Sequence, residues 1–469
     1  MNFKKLFFVV SSLDVLKNFF LFKESLFDRL KPSILENRLR VILLVPSFLE
    51  KHVPDLINYS NNLGNKVEIE LIPSDQKVRG IQKIFTFFYS YLIYTGTTKT
   101  LATMGMRPDD APDGGRMYLA PVKVLVANTF GRFGFVKNKL VPFLYDFFFP
   151  ERPLLNIFQK HKPDLVFAPN LFKRFDRDVL REAKRQQVKS VGMVMNWDHL
   201  DKYFLPFHPN KFLAQSDQTK FFALKYQRYN DNEVEVVGYP YLDFVLDKKY
   251  AVSRNELLKQ LGFPENSKYI LYVAGSMYCP DEPDVIEKML EWADKKELGE
   301  DVRFVIRPYP GGRGRDLDFD IKKFEGFENH PRVSFSKEKF WIDAERSAYF
   351  MNMMRHASAI IAVYSTSALE AAALDRPILT TAFDGYKQRP FHRSVRRFEL
   401  REHFGDLLKT GGLRSIYGFP ELLFSLKDYL KDDTIDAEKR EAMRQRVIYK
   451  TDGKSTERVL KNILSFLGL

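Results

Sequence analysis

The chain has 469 residues, 45% of them hydrophobic, which is ample for two or three globular domains and excludes a disordered chain. Its 73 Lys and Arg against 60 Asp and Glu give a net charge of +13, and the excess is lopsided: residues 1–245 carry 35 basic and 25 acidic side chains, net +10. An anionic partner is therefore expected for that half, a membrane surface or a phosphorylated acceptor; no nucleic-acid module is recognisable, and no nucleic acid is expected.

The single cysteine, Cys279, excludes an internal disulfide, and no Cys/His spacing suits a metal; both fit a reducing cytoplasm. The start, MNFKKLFFVVSSLD, has lysines and an apolar run like a signal peptide. Asp14 and Lys17 interrupt that run, and no small-residue cleavage site follows. It reads instead as a first strand over 4–11, with a helical pattern over 14–30. No apolar run reaches the roughly 20 residues of a transmembrane helix. Any membrane attachment is then peripheral, on the inner face of the cytoplasmic membrane.

Residues 40–46 (RVILLVP) and 67–73 (VEIELIP) are further strands, and the second alternates charged and apolar residues, as at a sheet edge. Strand, helix, strand in this order predicts a parallel sheet with right-handed crossovers. Residues 80–160 depart from the pattern. Two aromatic-dense runs, 84–94 (IFTFFYSYLIY) and 140–150 (LVPFLYDFFFP), flank a Pro/Asp/Gly loop at 107–116. Two readings stand: a surface that meets lipid headgroups, or ordinary helices packed on a sheet.

The α/β pattern resumes with a strand at 164–169, a charged helix at 174–187 and a strand at 191–195 that ends in Asn196-Trp197-Asp198-His199. Strands at 211–215 and 233–237 follow, the second running into Gly238-Tyr239-Pro240. A boundary near 245–260 gives an N-terminal domain, 1–250, with an aromatic-basic insertion at 80–160, and a C-terminal domain, 251–469. The second half repeats the plan. The strand at 269–273 ends in Ala274-Gly275-Ser276, and that at 303–306 ends in Arg307-Pro308-Tyr309-Pro310 before the glycines at 311–314. A short strand at 333–335 and a helix over 340–354 precede the stretch 359–385, and helical patterns at 419–431, 437–448 and 454–467 close the chain. The last of these is placed to cross back onto the first half.

The stretch 359–385 (AIIAVYSTSALEAAALDRPILTTAFDG) reads as strand, turn, helix, turn, strand. Three hydroxyls, Ser365, Thr366 and Ser367, stand at the start of the helix, and Ser367 with Glu370 has capping-box spacing. They either cap the helix or, with the partial positive charge of its N-terminus, hold a phosphate. Gly275, Ser276, Arg307 and the 365–367 turn all fall at predicted strand ends. If the sheet is parallel they converge on one pyrophosphate pocket: a glycine for close approach, a guanidinium fork and a helix start. Asp198, at a strand end beside Trp197 and His199, is a candidate acceptor ligand or base, or a turn residue. Arg393 and Arg397, in the basic run 389–401, reach donor phosphates or an anionic acceptor, or else lie on a solvated face. The DLDFD run at 316–320 sits in a polar loop, and no metal is expected there. The glycines at 311–314 lack G-x-G-x-x-G spacing and read as loop.

Several segments resemble bacterial GT-B glycosyltransferases, close to the CDP-glycerol glycerophosphotransferase and surface-polysaccharide transferase families. They are VGMVMNWDHL, the KFLAQSD and VEVVGYPYLD run, VIRPYP, STSALEAAALDRPILT and TDGKSTERVLKNIL. The resemblance spans most of 160–469. It implies an α/β fold of two Rossmann-like domains with parallel sheets facing across a cleft, and C-terminal helices crossing back. It implies a nucleotide diphosphate-linked donor on the C-terminal domain and a glycan or lipid-linked acceptor on the N-terminal one. It further implies metal-independent transfer with no cofactor beyond that donor substrate. Asp14, just past the first strand, is implied as an acceptor-side base, though a lone Asp there also suits a helix N-cap. Glu370 is implied as a ligand of the donor ribose. One departure stands out: Tyr309 occupies a position where such families often carry histidine. The group transferred is expected to be a sugar, with glycerol phosphate as the alternative on the same architecture. A non-catalytic nucleotide-binding protein is a further alternative. A non-hydrolysing UDP-sugar 2-epimerase has the same two-domain plan, but its expected histidine and glutamate stretch is not evident.

Overall fold

Leu6, Phe7, Phe8 and Val9 are fully buried, as a strand covered on both faces requires, and they belong to the first strand, β1 (Lys4–Val9). The computed structural model describes residues 3–61, 63–74, 78, 80–102, 118–309, 319–336 and 343–469. The first sheet continues with β2 (Leu39–Pro46), β3 (Val67–Ile72), β4 (Leu165–Ala168), β5 (Lys189–Met193), β6 (Lys211–Ala214) and β7 (Val234–Val236). Its order is β3-β2-β1-β4-β5-β6-β7, and every pair is parallel. β3 is an edge strand, as its alternating glutamates anticipate. The order reverses between β1 and β4, and such a switch point leaves a crevice at the carboxyl ends of the strands.

The continuous helix expected over 14–30 does not form. A short helix, Leu13–Leu16, widens into a π-helical turn, Lys17–Leu21, and then stops. Glu24 turns the chain with a φ of 61°, and Ser25 caps a new helix, Leu26–Leu35, by accepting the Asp28 N–H at 3.3 Å. A serine cap offers the backbone an alternative to helix continuation, and here the cap wins.

In the aromatic segment, the helices Ile81–Ser90 and Val141–Phe148 bury Phe85, Tyr89 and Tyr145 in the core of the first sheet. Phe85 stacks on Phe148 with centroids 4.7 Å apart. The opposite faces carry Ile84, Phe143 and Phe147, which are 69%, 71% and 74% exposed. The packing reading thus accounts for one face of each helix and leaves the other face apolar and uncovered. The loop 107–116 lies outside the described residues.

The second sheet is built from β8 (Lys268–Val273), β9 (Val302–Arg307), β10 (Val333–Phe335), β11 (Ala359–Ala362), β12 (Ile378–Thr381) and β13 (Leu413–Ile416). Its order, β10-β9-β8-β11-β12-β13, is again parallel throughout, with the switch point between β8 and β11. Sequence patterning gave no sign of β13, because only Leu413 and Ile416 of this edge strand are apolar.

The chain divides into two compact units. One comprises Met1–Tyr94, Pro121–Asp243 and Asp452–Leu469, and the other Thr95–Ala120 and Phe244–Thr451. The last helix, Ser455–Leu467, returns to the first unit and packs on the helix Leu26–Leu35 and on β4 and β5. Its start is held by Asp243, whose carboxylate accepts the N–H groups of Ser455 at 3.0 Å and Thr456 at 2.7 Å. A cap of this kind is worth about 0.5–2 kcal/mol. Gly238, with φ +91°, lies so close that a Cβ there would collide with the Ser455 hydroxyl, so a glycine is required.

Candidate functional site

In the second unit the crevice between β8 and β11 collects most of the anticipated donor residues. Val273 pairs with Ala362 on one side and with Arg307 on the other. The residues just past these positions, Gly275-Ser276 and 365–367, therefore leave the same edge of the sheet beside the end of β9. Gly275 is packed so tightly that an added Cβ would lie 2.7 Å from Cys279 Sγ. Its loop is clamped by a buried ion pair that sequence reading missed. Glu282 Oε1 accepts the Gly275 N–H at 2.8 Å, and Lys323 Nζ donates to the Gly275 carbonyl at 2.7 Å. Glu282 Oε2 and Lys323 Nζ are themselves 2.7 Å apart, with both side chains buried. Burial raises the Glu282 pKa, and the Lys323 charge opposes that rise. Cys279 beside them is pushed far up by burial and is inert as a nucleophile.

Arg307 is half-buried, its guanidinium lying 3.9 Å from the centre of the Phe350 ring. A ring on one face fixes the plane of the guanidinium and directs its N–H donors sideways. Past β11, Tyr364 takes a φ of 39°, and its N–H donates to Thr380 Oγ1 at 3.0 Å. The helix begins at Ser367, not after it, and the expected Ser367–Glu370 capping box is absent. Ser365 Oγ instead accepts the Ser367 N–H at 3.2 Å, while the amides of Ala368 and Leu369 donate to the carbonyls of Ser365 and Thr366. Tight-turn geometry thus satisfies three amides that a phosphate would otherwise find open. What the turn offers outward is hydroxyl: Thr366 is exposed, Ser365 half-buried and Ser367 buried, with Glu370 half-buried one turn on.

The two arginines of the basic run separate. Arg393 is exposed, whereas Arg397 is 2% exposed. The Arg397 guanidinium donates to the carbonyls of Arg393 and Ser394, and burial lowers its pKa. Arg389, in the same run, is buried against Asp281 and Asp384. Much of this run therefore serves the fold.

In the first unit the switch point lies between β1 and β4. Asp14 stands in the first turn after β1, where Ser12 and not Asp14 holds the N-cap position. Asp14 is exposed as a residue, yet desolvation raises its pKa, against the pull of Lys173 and Lys17. Across the crevice, Asn170 follows β4 and donates from Nδ2 to Ser12 Oγ at 3.1 Å, while its N–H donates to Asp176 Oδ1 at 2.8 Å. Asp176 is fully buried, and desolvation pushes its pKa up to about 7. The folded state therefore binds a proton that the unfolded chain releases near pH 4. Stability from this group is present below that and falls by about 1.4 kcal/mol per pH unit up to about pH 7. Asp176→Asn is expected to flatten the stability profile between pH 4 and 7, as urea titrations at several pH values would show.

Asp198 sits past the carboxyl end of β5, on the same edge of the sheet as Asp14 but beyond β4. Lys202 Nζ pairs with its Oδ2, and His199 Nε2 lies 3.9 Å from its Oδ1. The His199 ring stacks on Phe172 at 4.1 Å.

Residues 323–465 match the CDP-Glycerol:Poly(glycerophosphate) glycerophosphotransferase family, a span that includes Lys323, the 365–367 turn and most of the last helix. No curated protein matches the chain. Among solved structures it is similar to Staphylococcus aureus MnaA in complex with UDP, with 14% identity over 99% of this chain and 97% of that one and a TM-score of 0.52. It is also similar to the UDP-GlcNAc 2-epimerase of Neisseria meningitidis bound to UDP-GlcNAc (13% identity, 98% and 100% covered, TM-score 0.51). The epimerase of Methanocaldococcus jannaschii gives 12% identity, 98% and 99% coverage and a TM-score of 0.51. The fold is of the GT-B type. At such identities the likeness concerns architecture, and it agrees with the two Rossmann-like units and the returning C-terminal helix.

Sequence reading did not single out the buried groups Glu282, Lys323 and Asp176, which lie on or beside the helices that follow β8, β9 and β4. The 311–314 glycines and Asp316–Asp318 lie outside the described residues. Among the described residues, Glu68, Glu70 and His161 bring metal-ligand atoms within 4.8 Å of one another. Lys160 Nζ and His161 Nε2 each lie 2.6 Å from the same Glu70 oxygen, so that carboxylate already has cationic company.

Proposed function

We propose that this protein is a transferase that moves a group from a nucleotide diphosphate-linked donor onto a surface-polysaccharide or lipid-linked acceptor. The observation that carries the proposal is the gathering of Gly275, Ser276, Arg307 and the 365–367 hydroxyls around one switch point. In this reading Arg307 and the hydroxyls of Ser365, Thr366 and Ser367 hold the diphosphate, the Gly275 loop admits it closely, and Glu370 meets the ribose. Asp14 takes the proton of the acceptor hydroxyl, and Asp198 positions that acceptor. No metal step and no further cofactor enter. The group transferred is a sugar in the general case. Similarity of residues 323–465 to the glycerophosphotransferase family favours glycerol phosphate.

Arg307→Ala tests the donor assignment. It is expected to weaken binding of CDP or UDP by about 1.5–3 kcal/mol, the usual worth of a hydrogen bond to a charged group. Calorimetric titration of both proteins measures this, and equal affinities for every nucleotide that binds the parent would remove Arg307 from the site.

The acceptor side is proposed to meet an anionic membrane. No described helix is long and apolar enough to cross one. Ile84, Phe133, Phe143 and Phe147 are exposed, as are Lys83, Arg132 and Lys139 near them in sequence, a mix that suits a headgroup layer. Vesicle sedimentation should show binding to anionic but not neutral lipid, weakened by salt. Replacing Phe143 and Phe147 by Ser should lower it by roughly tenfold or more. Equal partitioning of that variant would show that this face is not the one that docks.

A further inference from the structure

At the other edge of the first sheet, the amino ends of β5 and β6 open into a cavity of about 530 Å3. It lies opposite the strand ends that carry Asp14 and Asp198. Lys189 begins β5, and His208 and Asn210 lead into β6. The loop between them is pinned by Asn210, whose Oδ1 accepts the Ser190 N–H at 2.8 Å.

Four cationic side chains line this cavity, Lys137, Lys184, Lys189 and Arg228, against one carboxylate, Glu233. Glu233 is engaged elsewhere, since its Oε2 accepts the Asn230 N–H at 2.8 Å in a capping box. Lys184 and Lys189 are exposed, and neither makes a side-chain hydrogen bond or ion pair with a described residue. Lys137 is only 3% exposed; its Nζ donates to the Tyr226 carbonyl at 3.1 Å and faces the Phe204 ring, with no carboxylate beside it. Burial, helped by the charge of Arg228, brings its pKa down to about 8. His208 stacks on Tyr229 at 4.0 Å, and its buried Nε2 has no hydrogen-bond partner. Burial and the charges of Lys184 and Lys137 hold its pKa down to about 3, so the ring is neutral.

A buried ammonium without a counter-ion costs stability, and surrounding it with further cations adds to that cost. An anion in the cavity removes both penalties. We infer that this cavity is a second anion site, separate from the donor crevice, that takes a phosphate-bearing ligand through Lys137, Lys184, Lys189 and Arg228. Its size suits a phosphate with an organic group attached rather than a bare ion. Neutral His208 adds a hydrogen bond in its Nε2–H tautomer. The inference does not rest on the proposed transfer reaction.

Two sources supply such a phosphate: a small soluble phosphomonoester or a lipid headgroup. The test titrates the full chain with glycerol 3-phosphate by calorimetry and, separately, sediments it with phosphatidylglycerol and phosphatidylcholine vesicles. At least one anionic probe should bind. The exposed-site variant Lys184→Glu/Lys189→Glu should bind that probe at least tenfold more weakly, Arg228→Ala should weaken it several-fold, and Arg307→Ala should leave it unchanged. Binding of the soluble probe assigns a free phosphate ligand, and vesicle binding lost in the same variants assigns a headgroup. Binding of neither probe, or equal binding by folded variants and parent, would overturn the site.

Discussion

Asp14→Asn is expected to lower kcat by roughly 10²–10⁴-fold, the usual contribution of a general base, while leaving nucleotide affinity unchanged. Two carboxylates compete for this role at the carboxyl edge of the first sheet. Asp198 is paired with Lys202. An ion pair at contact distance fixes the orientation of that carboxylate. Asp14 is instead raised by burial, with Lys173 and Lys17 only partly compensating. A base shifted toward neutrality accepts a proton better in the transition state, so Asp14 is assigned the proton and Asp198 the positioning. The acid limb of kcat/KM should accordingly lie above the ordinary carboxylate range and be lost in Asp14→Asn. Asp198→Asn should act mainly on the KM for acceptor. A larger fall in kcat for Asp198→Asn than for Asp14→Asn would exchange the two roles.

Lys323→Met should cost about 3–5 kcal/mol of stability, measured by urea unfolding, because it strands a buried Glu282 carboxylate. The variant should also bind nucleotide more weakly, since Lys323 holds the Gly275 carbonyl and, through Glu282, the Gly275 amide. Adding Glu282→Gln removes the stranded charge and should recover much of the stability. It should recover less of the binding, because the lysine clamp is still missing. A loss below about 1 kcal/mol for the single variant would mean that Glu282 is neutral in the fold and that the clamp is a hydrogen-bond network without charge.

Nearly every central strand was legible in the sequence, because strands buried on both faces are written as runs such as LFFV, VILLV and AIIA. β13 was not, since an edge strand with two apolar residues carries no such run. The break at Glu24 and the missing capping box at Ser367 had one cause: small hydroxyl residues satisfy backbone groups locally, and spacing alone does not say which serine does so. Glu282 and Asp176 left a signal that can be read in hindsight. Val285, Ile286 and Met289 stand 3, 4 and 7 residues after Glu282, and Val179, Leu180 and Ala183 stand likewise after Asp176. Each carboxylate is thus written onto the apolar face of its helix, where only a partner or a bound proton makes it tolerable. The cation cluster around Lys137 left no such trace, because its members come from four separate segments.

Group transfer from a nucleotide diphosphate-linked donor leaves its signature in the nucleotide released. Purified protein is incubated with CDP-glycerol or with UDP-sugars, with and without a polymer or lipid-linked acceptor, and the products are read by mass spectrometry. Attack of an acceptor hydroxyl on the glycerol-bearing phosphorus breaks the bond between the two phosphates and frees CMP. Attack on a sugar carbon frees the intact nucleoside diphosphate. Acceptor-dependent release of one of these is expected, matched by growth of the acceptor. Interconversion of a UDP-sugar without release, or bound nucleotide with no release from any donor, would contradict it.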